Sequence, residues 1–184
     1  MFRRLLRGMR RTAVFCIVVI AGFRLIGIPS FWVFDTNFYR NALPEKIQVE
    51  GFVDAASDGV LLAREACGAV IYRLTHETID AINSQGLSFF ADARQGRGYP
   101  VTHRKGPYYS YSPWKETPLD NEEGNTLLYL GLGCKAENQD NHQPALHELI
   151  LDAASKEGAY FSMKQEAVVV VLPSLGVVIL AYIG

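Results

Sequence analysis

"AVVVVLPSLGVVILAYIG", residues 167–184, is the stretch whose reading decides the fold. It runs for 18 residues without a charge, close to the length of a membrane-spanning helix. Two features point elsewhere. Pro173 and Gly176 fall at its centre, and half of the remaining residues are Val or Ile. Branching at Cβ favours the extended chain, and Pro-Ser-Leu-Gly is a turn sequence. The stretch therefore predicts a β-hairpin, turning at Pro173–Gly176, with both strands buried.

Working outward, Tyr160–Met163 predicts a strand leading into that hairpin. "HQPALHELILDAASKEG" before it predicts a helix, with Pro144 at the first helical position and Gly158 as the stop. Leu146, Leu149, Ile150 and Ala153 supply the apolar spacing of one helical face. Further upstream, Ile47–Val53 and Ala69–Leu74 ("AVIYRL") predict strands. Thr75 is placed to cap a short helix that ends at Gly86, and Leu87–Ala91 predicts another strand. The fold class is α+β, a mainly antiparallel sheet packed by two or three helices.

The other end of the chain differs in character. Arg3, Arg4, Arg7, Arg10 and Arg11 precede the apolar run Thr12–Phe23, and the first acid is Asp35. A cationic head before an apolar run is the pattern of an export signal or a signal anchor. Twelve uninterrupted residues make about 18 Å of helix, which is short for a bilayer. Thr12–Phe34 is long enough if Arg24 extends its charge to the interface. The expectation is a cytoplasmic basic head with a signal-anchor helix in residues 1–34. An exported α+β domain follows in residues 35–184, with the inner membrane engaged through residues 12–34. Cleavage after Ala21 is the alternative.

The charge distribution fits this division. The chain has 18 basic and 19 acidic residues, but six of the basic ones lie in the first 24 positions. Residues 35–184 carry 12 basic and 19 acidic residues, a net charge of −7, which disfavours general nucleic-acid binding. Cys67 and Cys134 are the two cysteines of this part. In an oxidising compartment such a pair predicts a disulfide; two separate buried thiols are the other reading.

Between Arg94 and Asn125 regular patterning stops: "RQGRGYPVTHRKGPYYSYSPWKETPLDNEEGN". Long irregular segments in a compact domain tend to be functional. From Arg94 to Lys115 there is no acid, so residues 94–118 form a basic, aromatic island on an acidic domain. Arg97, Tyr99, His103, Arg104, Tyr108, Tyr109, Tyr111 and Trp114 are the candidate binding residues, because Tyr, Trp and Arg are what interface anchors are made of. Trp114 is the expected best anchor, so that Trp114→Ala weakens capture and leaves the melting temperature nearly unchanged. The bland alternative packs these aromatics onto the sheet and leaves the cations in water.

No catalytic signature is present: no G-x-S-x-G elbow, S-x-x-K, H-E-x-x-H or phosphate-cradling loop. His142 and His147 are five apart and face different ways on a helix, so no metal site is expected. The pairs His76-Glu77 and His147-Glu148 read as surface residues. No cofactor is implied. The expected function is recognition of a protein partner or an envelope glycan through residues 94–118. The alternative is a small envelope hydrolase or transferase in the same segment, with His103 as base or Cys67 as nucleophile.

Overall fold

The computed structural model describes residues 38–57, 67–97, 110–119, 122–134 and 143–183. The signal anchor expected at residues 12–34 and the middle of the basic segment, residues 98–109, lie outside these. The described fold is α+β and is built on one six-stranded sheet, antiparallel throughout. Its strands are β1 (Val49–Ser57), β2 (Cys67–Leu74), β3 (Lys115–Glu116), β4 (Tyr160–Lys164), β5 (Ala167–Leu172) and β6 (Val177–Ile183). They lie in the order β1-β2-β6-β5-β4-β3.

The C-terminal stretch is the expected hairpin, and it supplies two of the four interior strands. Every residue of β5 is buried, which explains the unbroken apolar run: the sheet is covered on both faces. Side chains alternate between these faces, as the strand period requires. Val169, Val171, Val178 and Leu180 join one core, while Val168, Val170, Ile179 and Ala181 join the other. Residues 173–176 make the turn, with Gly176 at φ 65°. The Gly176 carbonyl accepts from the Leu74 N–H at 2.9 Å, tying the turn to the end of β2.

The first face is covered by α1 (His76–Gln85) and a 3-10 helix at Gly86–Phe90. Thr75 caps α1 as expected, accepting from the Thr78 N–H at 3.3 Å. Gly86 closes it at φ 57°, a conformation that a Cβ disfavours. The strand expected at Leu87–Ala91 is instead that 3-10 helix. Its last two residues, Phe89 and Phe90, both point into the core and meet edge to face at 4.9 Å, where strand geometry would send them to opposite sides.

The second face is covered by α2 (Glu122–Gly133) and α3 (Pro144–Ala154). Nothing in the pattern predicted α2, because "EEGNTLLYLGLG" carries three glycines, which weaken a helix. Gly131 has a packing role. A Cβ there would stand 2.8 Å from both the Ala181 Cβ and the Gly68 carbonyl, so glycine lets α2 lie close on β2 and β6. The helix α3 begins at Pro144 as expected, but its buried face is His147, Ile150 and Ala154, and Leu149 is 53% exposed. The face predicted from Leu146 and Leu149 is thus rotated. Among the described residues no helix is long and apolar enough to cross a membrane.

Candidate functional site

The described part of the basic segment is a stem made of two strips of chain, residues 93–97 and 110–114. Gln95 and Ser110 form an antiparallel bridge. Beside it the Tyr111 N–H donates to the Arg94 carbonyl at 2.8 Å, and the Arg94 Nε–H returns a bond to the Tyr111 carbonyl at 3.2 Å. The stem is fastened on both sides. Gly96 bridges Pro44, and the Arg97 N–H donates to the Leu43 carbonyl at 3.1 Å. Opposite, the Ser112 N–H donates to the Met163 carbonyl at 2.8 Å, and the Ser162 hydroxyl donates to the Ser112 carbonyl at 2.6 Å. The backbone groups of an irregular stretch are satisfied in this way without a regular ladder.

Two of the expected binding residues belong to the core, and this corrects their reading as anchors. Trp114 is 7% exposed and stacks on Phe90 with ring centroids 4.4 Å apart; its indole N–H donates to the Ala93 carbonyl at 2.6 Å. Tyr111 is buried and its hydroxyl donates to the Ala42 carbonyl at 3.0 Å. A large ring with one polar tip is inexpensive to bury once that tip is bonded. Arg97 is turned toward the body of the domain as well. It is half-buried and aims its guanidinium at backbone, donating to the carbonyls of Arg40 at 2.9 Å and Ile47 at 2.6 Å, with Glu45 at 3.4 Å. Burial lowers its pKa from the ordinary value, Arg40 adds to this, and Glu45 opposes it. Tyr99, His103, Arg104, Tyr108 and Tyr109 lie outside the described residues.

Two depressions flank the stem. One, of about 360 Å³, is lined by Leu87, Ser88, Phe90, Ala91, Arg94, Pro113 and Trp114. The other, of about 550 Å³, is more polar and lies on the side of Lys46, Asp92 and Arg97. Lys46 and Asp92 are paired there at 2.7 Å.

Cys67 and Cys134 are joined in a disulfide with a Cα separation of 5.9 Å, within the ordinary range. It ties the start of β2 to the residue after α2. Both cysteines line a larger cavity of about 740 Å³, together with Tyr129, Leu130, Ile183 and His147.

His147, expected on the surface, is 5% exposed and is the polar residue that sequence reasoning missed. Its Nδ1 lies 3.0 Å from the Leu132 carbonyl and its Nε2 lies 3.1 Å from Asp54 Oδ2. The second Asp54 oxygen accepts from the Ala55 N–H at 2.8 Å. Both ring nitrogens face oxygens. The Leu132 carbonyl belongs to the last turn of α2. This joins α2, α3 and β1 at one point. With both nitrogens engaged, the ring offers neither to a substrate as a base. The available signals were an aspartate within a strand and a histidine in register with Ile150 and Ala154.

Among the described residues no group of three His, Cys, Asp or Glu could hold a metal ion. Comparison with family models, with curated proteins and with solved structures finds no significant match to the chain.

Proposed function

We propose that this chain is an exported domain, anchored in the inner membrane by residues 12–34, that recognises an envelope partner through its basic segment, residues 94–118. The stem carries this reading. Gln95 and Ser110 are bridged, and the chain on either side of them is bonded to the body of the domain. The 14 residues between them in sequence include Tyr99, His103, Arg104, Tyr108 and Tyr109. Fixing both ends of a segment reduces the ordering entropy that binding must overcome. The bond between Cys67 and Cys134 fits a domain that works in an oxidising space. Division of the chain into residues 1–34 and an extracytoplasmic domain, 35–184, belongs to the same proposal, and so does the single-pass topology.

Tyr111, Trp114 and Arg97 now have a different role, as fasteners of the stem. The test replaces residues 98–109 with a Gly/Ser linker of equal length in the full chain. The stem contacts are all retained, so the melting temperature should stay within a few degrees of wild type while capture of the membrane-extracted partner is lost. Capture that survives the replacement refutes recognition by residues 98–109. An alkaline-phosphatase-type reporter fused after residue 184 should be active; activity of a cytoplasmic reporter instead refutes the topology.

A further inference from the structure

The depression between the 3-10 helix and Pro113 combines apolar walls with one cation. Its walls are Leu87, Phe90, Ala91, Pro113 and Trp114, with Ser88 between them. Leu87 is 40% exposed, a large aliphatic side chain left at the rim. The Ser88 hydroxyl is turned away, donating to the Gln85 carbonyl at 2.6 Å. Arg94 is the one charged residue of the lining. Its Nε–H is held by the Tyr111 carbonyl at 3.2 Å, which fixes the plane of the guanidinium. The two terminal amino groups make no bond among the described residues, and no carboxylate stands in the lining to neutralise them.

We infer that this cleft is a subsite for the C-terminal residue of a protein partner, taking an aliphatic side chain between Leu87 and Pro113 and its free carboxylate on Arg94. The inference rests on the recognition role proposed for residues 94–118, and of the two partner classes there it selects protein. Three properties lead to it. At about 360 Å³ the cleft lies at the small end of ligand sites, which suits one residue rather than a length of chain. Its apolar walls reward removing an aliphatic side chain from water, whereas a sugar ring would find few hydrogen-bonding side chains. A planar guanidinium whose Nε is already fixed presents its terminal N–H groups in the fork that a carboxylate accepts. The geometry also explains why Arg94 stands at the stem: the bond that closes the stem is the one that orients the charge.

The probe is N-acetyl-L-leucine, set against N-acetyl-L-leucine amide, titrated onto the detergent-solubilised full chain and followed by ligand-observed NMR. The acid should bind in the millimolar range, as one residue is expected to, and the amide at least tenfold more weakly. Arg94→Gln should abolish the difference between acid and amide. Because that substitution also removes the stem bond, Leu87→Asp is the second variant. It leaves the stem intact, places a carboxylate at the rim, and should weaken the acid more than the amide. Equal binding of acid and amide, or no binding of the acid at about 10 mM, overturns the inference. The linker variant lacking residues 98–109 separates the two proposals. Retained acid binding with partner capture lost supports both, and retained acid binding with capture intact sinks the role of 98–109 while the subsite stands. Loss of acid binding from the correctly folded linker variant overturns the subsite as drawn.

Discussion

Residues 167–183 and residues 110–114 both reach the core, and they reach it by different physics. In the hairpin every side chain from Ala167 to Leu172 is apolar and buried, so burial follows from the pattern itself. In the stem, buried Tyr111 and Trp114 alternate with exposed neighbours, and each carries a polar group. What permits their burial is a pair of backbone carbonyls, Ala42 and Ala93, that no regular ladder engages. An irregular chain leaves such acceptors open, and a tyrosine or tryptophan can close them. The same two residue types, seen as letters beside Arg and Lys, look like anchors for a partner. The difference lies in the acceptors, and those belong to segments 21 and 69 residues away.

The largest effect should come from the hairpin. Val170 is fully buried on β5, so Val170→Asp places an unpaired carboxylate in the core. The cost of several kcal/mol is comparable with a typical total stability of about 5 to 15 kcal/mol. No cooperative melting transition should be seen for this variant; a normal one would mean that the hairpin strands are not buried. Next in size is Trp114→Ala, where stability and not capture should change. The variant loses the stack on Phe90 and leaves the Ala93 carbonyl without its donor, a loss of about 3–5 kcal/mol in chemical denaturation. Trp114→Phe keeps most of the stack and should lose only about 1–2 kcal/mol. If Trp114→Ala melts like wild type, the two regions are not alike in burial and Trp114 returns to the surface reading.

How much was legible follows the same division. The hairpin, β1, β2, β4, α1 and the start of α3 could be read because their signals are local: Val-rich runs, Thr75 before a helix, Pro144 at the first turn, Gly86 at a stop. The α+β class followed from them. Less was legible where a residue answers to a distant partner. The helix α2 is hidden by Gly131, whose reason for being there is the approach of Ala181 and Gly68. The buried face of α3 was misjudged because Leu149 fits the apolar spacing better than His147 does, and the aspartate that decides the matter sits 93 residues earlier. The pairing of Cys67 with Cys134 was legible by elimination, being the one pair available in residues 35–184. For the candidate site, composition marked out the segment but could not tell that Tyr111 and Trp114 are buried.

The smallest of the three effects tests that polar pair, which is buried like the hairpin yet held like the stem. Asp54 and His147 each have 7% of their side chain exposed, and breaking such a pair costs about 3–5 kcal/mol. The two single substitutions should not be equal. Asp54→Leu removes the partner at Nε2 but leaves Nδ1 its contact with the Leu132 carbonyl. His147→Leu leaves the buried Asp54 side chain with the Ala55 N–H as its described donor. His147→Leu is therefore expected to cost about 3 kcal/mol, near the lower end for a broken pair, and Asp54→Leu less. The double variant should cost less than the sum of the singles, since the two groups share one contact. Chemical denaturation of the four proteins gives the coupling directly. Additive losses would show that the two side chains are buried independently, and a larger loss for Asp54→Leu would reverse the assignment of which partner needs the other.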